Sequence, residues 1–264
     1  MNFIQDEVTQ QVAQVAKDFA NKHIKPNVME WDETQHFPID VMKEMGKLGL
    51  MGIFVPEEYG GSGFSYNEYV AAIVETAKVC GSIGLSLAAH NSLCTGHILY
   101  CANEEQKKKY LPKLAAGEMI GSFGLTEPNH GSDPSSMETN FKDMGDHYLL
   151  NGAKMWITNS PLCDIAVVWA KNEEGKVQGL IVERGMEGFT TPETHNKWSL
   201  RASKTGELVF NNVKVPKENL LPGVTGLKGP LSCLNSARYG ISWGVIGAAI
   251  DCYCTAVQYS KERK

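Results

Sequence analysis

Hydrophobic residues recur at three- and four-residue steps along much of the first 115 positions, which predicts an all-α region. Val8, Val12, Val15 and Phe19 belong to one such stripe, and Pro26 predicts where it ends. A second helix is expected after Pro38, and further helices over 66–79, 82–101 and 104–115. The segment 56–63 (PEEYGGSG) is predicted to be a loop, because glycine and proline are costly within a helix. We assign residues 1–117 to an N-terminal helical domain.

The hydrophobic period changes near residue 118. From there to about residue 218 the chain consists of short β-branched or alternating runs separated by turn signals: IGSFGLT, HYLLNG, KMWITN, DIAVVWA, GLIVE and ELVFNNVKV. Strands do not alternate with helices here, which argues against a dinucleotide-binding α/β unit. The pattern predicts a compact middle β-domain, a barrel or sandwich, over residues 118–226.

Helical periodicity returns at about residue 229 and continues to the last residue, which predicts a helix roughly 50 Å long. It carries two apolar stripes: Tyr239, Trp243, Ile246, Ile250, Tyr253 and Val257 on one side, and Leu234, Ile241, Val245, Ala248, Cys252 and Ala256 on the other. A helix that is apolar on two sides needs neighbours on both, and the N-terminal helices can supply only one. Residues 227–264 are therefore expected to be the first long helix of a truncated C-terminal helical bundle, or to be buried against partner subunits.

Composition limits the classes of partner. The net charge is −5 and the pI about 5.8, which favours neither a nucleic acid nor an anionic membrane surface. The seven cysteines show no metal-ligand spacing, so free thiols in a reducing compartment and no metal site are expected. No signal peptide and no apolar run of membrane-spanning length are recognised, so a cytoplasmic protein without membrane insertion is predicted.

Two segments carry candidate chemistry. In GLTEPNHGSDPSS (124–136), a strand ends at Thr126 and a polar loop follows, in which successive backbone amides can bind an anion such as a pyrophosphate. In KMWITNS (154–160), Trp156 and Thr158 are two residues apart on a strand and are expected on one face, where an indole and a hydroxyl suit a planar heterocycle. The alternatives are a capped β-turn without a ligand and a core tryptophan beside a strand-forming threonine.

Together, the order of helical and β regions and these two segments resemble the acyl-CoA dehydrogenase family over the whole chain. The similarity is strongest to the glutaryl-CoA dehydrogenase branch, through SDPSSMET (132–139), WITNSP (156–161), SLRAS (199–203) and CLNSARYGISWGV (233–245). The resemblance implies an FAD cofactor, an acyl-CoA substrate, an electron-transferring flavoprotein as electron acceptor and a homotetramer when the protein is full length.

The resemblance also implies roles for individual positions. Cofactor contacts are expected from Phe123, Gly124, Leu125, Thr126, Gly131, Ser132, Trp156, Ile157, Thr158 and, toward the FAD of a neighbouring subunit, Arg263. Substrate contacts are expected from Ser132, Leu231, Leu234, Asn235 and Arg238, the last near a phosphate or ribose.

The implied reaction is α,β-dehydrogenation, in which a carboxylate removes the α-proton and the β-hydrogen leaves as hydride to flavin N5. In some relatives that carboxylate precedes the arginine matched by Arg238, where this chain has Ala237, so the base is expected beyond Lys264. Glutaryl-CoA enzymes hold the distal substrate carboxylate with an Arg-Ser pair, and Gly84 and Leu85 occupy that place here. A short or medium acyl chain is therefore expected, with the glycines of 81–87 as possible space for its tail.

Other interpretations remain open: glutaryl-CoA-type oxidative decarboxylation, a relative that passes electrons to oxygen, and a non-catalytic flavin- or acyl-CoA-binding module. His130 stands at a loop position that is usually small in the family; a surface side chain is favoured for it, and the alternatives are a ring that caps the loop or reaches a phosphate. His90, beside the expected acyl pocket, is interpreted as a satisfied core histidine.

Overall fold

The computed structural model describes residues 6–263, so residues 1–5 of the predicted helical domain and Lys264 lie outside it. The N-terminal region is helical, as predicted. Its α-helices are α1 (Glu7–Phe19), α2 (Val28–Thr34), α3 (Ile39–Lys47), α4 (Tyr66–Val79), α5 (Gly81–Ala89), α6 (Gly96–Cys101) and α7 (Glu104–Ala115).

Two helices begin at capping boxes. The Ser65 hydroxyl accepts the N–H of Asn67, and the Glu68 carboxylate reaches back to the N–H of Ser65, which satisfies the unpaired amides at the start of α4. Asn103 and Gln106 form the same reciprocal pair at the start of α7. These caps explain why both helices begin where the sequence pattern placed them.

Two departures from the predicted helices involve local backbone chemistry. Pro26 does not end the helical path: α1 continues through a π-helical stretch (Ala20–Ile24), and Pro26 lies in a short 3₁₀ turn that leads into the unpredicted α2. Proline is tolerated there because the first turn of a helical segment leaves its N–H groups unbonded anyway. The single predicted helix 82–101 is interrupted by a π-helical stretch, His90–Thr95, which separates α5 from α6.

The middle region is a curled seven-stranded sheet. Its strands are β1 (Gly121–Gly124), β2 (Asn140–Asp143), β3 (His147–Thr158), β4 (Ile165–Lys171), β5 (Val177–Glu183), β6 (Phe189–Thr190) and β7 (Thr205–Pro216). They pair in the order β1-β4-β2-β3-β7-β6, with β5 on β4, and the β1–β4 pair is parallel. The hydrophobic core of the sheet is formed by side chains of β2, β3, β4, β5 and β7.

Strand β3 joins two runs that the sequence suggested as separate strands. Its pairing with β7 slips between Leu150 and Gly152 and again between Lys154 and Ile157, so the strand is bulged at both places. Gly152 has a φ of 134°, and a Cβ there would lie 2.6 Å from the Cα of Thr139. The first bulge therefore requires glycine, and the second places Trp156 out of the regular alternation.

The long helix α8 (Lys228–Glu262) packs on α4 and α5 through a face that the apolar pattern did not indicate. Its buried residues beyond the first turns are Gly240, Gly244 and Gly247, which let the α4 backbone approach closely. The predicted stripe through Tyr239, Trp243, Ile246, Ile250 and Tyr253 is exposed. The helix–helix contact is thus made mainly by small residues, and of the second predicted stripe only Leu234, Ile241 and Ala248 are partly buried.

By length and composition, α8 also satisfies the criteria for a helix able to cross a membrane, so the expectation that no run approaches that length is wrong for this segment. Core helices of soluble proteins satisfy the same criteria.

Candidate functional site

A pocket of about 180 Å³ lies where β1 ends beside the end of β3 and the helices α5 and α8. We call it the strand-end pocket. Its walls contain seven of the predicted cofactor or substrate residues, Phe123, Leu125, Thr126, Trp156, Ile157, Thr158 and, from α8, Leu234, together with Ala89, Leu93 and Ser122. Thr126 and Trp156, which come from two different segments of the sequence, therefore face the same space.

Trp156 takes an unusual backbone conformation to reach this pocket. Its φ is 62°, in the left-handed region that costs a bulky residue roughly 1–2 kcal/mol. It lies at the second bulge of β3, and its side chain is 58% exposed although it belongs to a well-paired strand. The simple two-residue alternation used on the sequence does not describe this geometry, but the bulge brings Trp156 and Thr158 to the same pocket nonetheless. Such strain concentrates at functional positions.

The hydroxyls of Thr126 and Thr158 are the polar groups that the pocket offers to a ligand. Within residues 6–263 neither hydroxyl has a hydrogen-bond partner, whereas the hydroxyl of Ser122, in the same wall, donates to the carbonyl of Thr158 at 3.1 Å. An exposed indole beside two unpartnered hydroxyls fits the face and the polar edge of a flat heterocycle.

The loop after the pocket offers backbone donors. In the described chain the N–H groups of Gly131, Ser132 and Asp133 have no acceptor, and all three residues are exposed. The Asp133 carboxylate is used locally, since it accepts from the N–H of Ser135 at 3.1 Å and from two serine hydroxyls, which lower its pKa. The loop is thus a capped turn that still leaves successive amides available for an anion.

His130 differs from the favoured surface assignment. Its Nε2 lies 3.3 Å from Oε1 of Glu138, and its backbone exchanges hydrogen bonds with Glu127. Only 22% of the side chain is exposed. The ring therefore links the beginning of the loop to its end.

A second pocket of about 180 Å³, the helix pocket, adjoins the first and shares Ala89, Leu93 and Thr158 with it. Its remaining wall is formed by Leu85, Ala88, Ser92, Ala237, Arg238 and Ile241. The wall is almost entirely apolar, and no carboxylate lines either pocket in the part of the chain that the structure describes. The arrangement offers an apolar chamber beside the partly polar strand-end pocket.

Several predicted residues lie outside these walls. Gly84 faces Ala77 of α4, and a Cβ there would approach the Cβ of Ala77 to 2.9 Å, so its small size serves helix packing rather than leaving room for a ligand. Gly124 packs against Leu208 and the stem of Lys154.

Three residues of α8 also lie outside. Leu231 and Asn235 are exposed and line neither pocket; Asn235 Oδ1 instead accepts from the guanidinium of Arg238 at 3.3 Å. Arg263 caps the far end of α8, roughly 40 Å of helix away from Arg238. Within one chain, Arg263 is not brought to the pockets.

His90 is a buried structural residue, which confirms its interpretation from the sequence as a satisfied core histidine. Its Nε2 lies 3.1 Å from the carbonyl of Leu114, and its Nδ1 accepts the N–H of Gly121 at 3.2 Å. Burial lowers its pKa to about 4. The ring remains neutral and connects α7 to β1.

Sequence reasoning missed Ala89 and Leu93, which line both pockets, because small and apolar helical residues carry no chemical signal of their own. It also missed Lys154, whose buried amine contacts the backbone of the strand-end pocket. A lysine within an otherwise apolar strand run was the available signal for that residue. Among residues 6–263, no group of three or more histidine, cysteine or acidic side chains could hold a metal ion.

These features define a helical–β–helical protein with a partly polar pocket adjoining an apolar one. Comparison with known proteins then gives the family. The model of the acyl-CoA dehydrogenase N-terminal domain matches residues 6–118, and that of the acyl-CoA dehydrogenase middle domain matches residues 122–213.

The relatives agree. A short-chain-specific acyl-CoA dehydrogenase from Clostridium acetobutylicum is 42% identical over 259 residues, covering 96% of this chain and 68% of the relative. The crystal structure of a Mycobacterium smegmatis glutaryl-CoA dehydrogenase in complex with FADH2 superposes with a TM-score of 0.95 at 41% identity, covering 98% of this chain and 67% of that one. A chain from a structure described as the electron transferring flavoprotein of Acidaminococcus fermentans gives a TM-score of 0.97 at 39% identity, covering 100% and 71%.

The chain belongs to the acyl-CoA dehydrogenase family, whose members are flavoprotein oxidoreductases that use FAD.

Proposed function

We propose that this chain binds FAD in the strand-end pocket and an acyl-CoA thioester in the helix pocket, for α,β-dehydrogenation of a short- or medium-chain acyl group to the trans-2-enoyl-CoA. The observation that carries the proposal is the strained, exposed Trp156 beside the unpartnered hydroxyls of Thr126 and Thr158. Bound FAD would supply the acceptor for the β-hydride at its N5. We further propose a cytoplasmic homotetramer that binds no nucleic acid, does not insert in a membrane, and passes electrons to an electron-transferring flavoprotein.

The residues of this chain have separable tasks in the proposal. Trp156 covers a face of the ring, while Leu125, Thr126 and Thr158 bind its polar edge. The free amides of Gly131 and Ser132 donate hydrogen bonds to the pyrophosphate, a use of backbone N–H groups that requires no lysine.

For the substrate, Leu85, Ala88 and Ile241 surround the acyl chain and exclude water from it. The α-proton must be transferred to a carboxylate, and neither pocket supplies one among the described residues. Ala237, immediately before Arg238 in the wall of the helix pocket, occupies the position of the carboxylate that the resemblance implies for some relatives. We therefore expect binding of flavin and acyl-CoA by the 264-residue chain, but hardly any turnover. Steady consumption of butyryl-CoA by this chain would contradict that part of the proposal.

A first experiment tests flavin binding. The purified chain is titrated with FAD, and Trp156→Ala is compared with Trp198→Ala, a control at a tryptophan that is 99% exposed and lines neither pocket. Stacking contributes on the order of 1 kcal/mol or more, so W156A should raise the dissociation constant of FAD at least fivefold and W198A should leave it unchanged. Equal affinities of the two variants would refute the assignment of the pocket.

Arg238 is the one charged residue that the described chain places in the wall of the helix pocket, and it favours a second candidate, a glutaryl-type substrate. A distal carboxylate in this apolar chamber would be disfavoured by several kcal/mol unless Arg238 paired with it. We assign Arg238 instead to the CoA phosphate or ribose, because its side chain is exposed and bonded to exposed Asn235.

A second experiment separates these substrates. Binding of butyryl-CoA, octanoyl-CoA and glutaryl-CoA to the FAD-loaded chain is measured for the wild type, Arg238→Met and a control, Lys261→Met, at the far end of the same helix. If Arg238 binds CoA, R238M weakens all three ligands about equally, by tenfold or more. A selective loss of glutaryl-CoA binding would establish the second candidate.

A further inference from the structure

Behind the wall of the strand-end pocket lies a buried ion pair to which no function has yet been assigned. The side chain of Lys154 in β3 is completely inaccessible, that of Glu127 is 4% exposed, and their Nζ and Oε1 atoms are 2.8 Å apart. Neither side chain lines the pocket itself.

The pair connects both ends of the loop that follows β1. At the beginning of the loop, Lys154 Nζ donates to the carbonyl of Leu125 at 3.1 Å, and Leu125 forms part of the pocket wall. At its end, the Glu127 carboxylate accepts the N–H groups of Glu138 at 2.6 Å and Thr139 at 3.0 Å. Residues 128–136, including the free amides of Gly131 and Ser132, lie between these two attachments.

Burial disfavours the charged forms of both Lys154 and Glu127, and their mutual contact opposes this effect. Burial lowers the pKa of Lys154 to about 8, against the opposing effect of Glu127. Burial also opposes ionisation of Glu127, but hydrogen bonds from Lys154, Thr139 and Glu138 outweigh it and lower the pKa of that carboxyl. Buried ion pairs often contribute little net stability compared with apolar replacements, and their best-attested use is to specify one arrangement of the chain.

We propose that Lys154 and Glu127 are positioning residues for the flavin: they hold the Leu125–Thr126 wall and the anion-binding loop in the single register that lets one FAD contact both. This inference rests on the proposed function. The pair does not touch the cofactor. It fixes the distance between a site for the ring and a site for the pyrophosphate, which lie on opposite sides of Glu127 in the sequence.

The test compares Lys154→Met, Glu127→Gln and the double variant K154M/E127L with the wild type. Lys109→Met is the matched control, because Lys109 forms an ion pair with Glu183 at the same Nζ–Oε1 distance of 2.8 Å, but 52% and 33% exposed. Three quantities are measured: thermal stability of the flavin-free chain, hydrogen exchange of the Glu138 and Thr139 amides, and the dissociation constant of FAD.

Both single variants should accelerate exchange at Glu138 and Thr139 and raise the dissociation constant of FAD at least tenfold. If K154M folds poorly, the effect on amide exchange and on FAD affinity is measured with E127Q, which keeps the shape of the side chain. In K154M/E127L thermal stability should exceed that of K154M, because no unpaired charge is left buried, while FAD affinity remains low, because the loop has lost its attachments. K109M should change none of the three quantities.

Three results would overturn the inference. If K154M/E127L binds FAD like the wild type, the pair is only a stabilising contact and the proposed function stands. If the wild type itself binds no FAD, the proposed function fails and this inference fails with it. If amide exchange at Glu138 and Thr139 is unchanged in the flavin-free variants, the inference fails but the proposed function does not.

Discussion

The backbone at Trp156 allows a sharp test of whether strain is stored at the candidate site. With a φ of 62°, any side chain with a Cβ is disfavoured there by roughly 1–2 kcal/mol, and glycine alone escapes this cost. At an ordinary position the order is reversed, since glycine is less stable than alanine by about 0.5–1 kcal/mol through its greater freedom in the unfolded chain. The sign of the difference between the two substitutions therefore reports the strain.

The magnitudes follow from exposure. Trp156 is 58% exposed, so its removal uncovers roughly 100 Å² and costs about 2–3 kcal/mol. Trp156→Gly and Trp156→Ala both lose this contribution, which cancels in their comparison. We expect W156G to be more stable than W156A by about 1 kcal/mol, which corresponds to about 2–4 °C in the melting temperature of a chain of this size.

The assay is thermal and urea denaturation of the flavin-free protein, so that ligand binding does not enter the result. Trp198 supplies the control: it is 99% exposed and is not among the positive-φ residues, so W198A should be at least as stable as W198G. If W156A proves as stable as W156G, no strain is stored at the bulge and the functional interpretation of that geometry is refuted.

Three further outcomes are expected. Gly247→Ala should destabilise the protein by more than about 1 kcal/mol in urea denaturation, because the added Cβ would lie 2.5 Å from the carbonyl oxygen of Val74. Gly244→Ala, whose Cβ would meet no atom closer than 3.4 Å, should be neutral or stabilising. Equal effects of the two substitutions would contradict the close approach of α4 and α8. Gly152→Ala should cost at least about 2 kcal/mol in the same assay, owing to its φ of 134° and the contact with Thr139, and a neutral result would argue against the bulge. Burial lowers the pKa values of His90 and His97 from 6.5 to about 4, so below pH 6.5 the unfolded chain binds protons that the folded chain does not. The free energy of unfolding should therefore fall between pH 7 and pH 5 by roughly 2 kcal/mol for each ring. Equal free energies of unfolding at the two pH values, measured by urea denaturation, would contradict this.

Much of the architecture followed from the sequence because periodicity reports directly on burial. The helix starts at Tyr66 and Glu104 were predicted from the hydrophobic pattern, and the change to short β-branched runs located the sheet. The π-helical stretch at His90–Thr95 was not predictable, since it arises from tertiary hydrogen bonds rather than from a local pattern. The buried face of α8 was missed for a different reason. The hydrophobic pattern identifies stripes of large apolar residues, whereas the close approach of the α8 and α4 backbones requires glycine.

For the candidate site, chemistry was visible in the sequence but geometry was not. Trp156 and Thr126 could be singled out because an indole and a hydroxyl next to strand ends suggest a ligand. The bulge that turns Trp156 into the pocket leaves no trace in residue type. The ion pair of Lys154 and Glu127 joins residues that are 27 positions apart, and nothing local indicates that they meet. Apolar wall residues such as Leu93 become recognisable only in the folded chain.

The ring of His90 spans the junction between the helical region and the sheet, with Leu114 on one side and Gly121 on the other. Asn91 beside it is bonded to Leu50 and Ile53, so one turn of helix is attached to three distant parts of the chain. Dividing the protein between residues 117 and 118 would remove partners from polar groups that have no access to water. The two regions should consequently melt in a single transition, and neither half should persist as an autonomous folding unit.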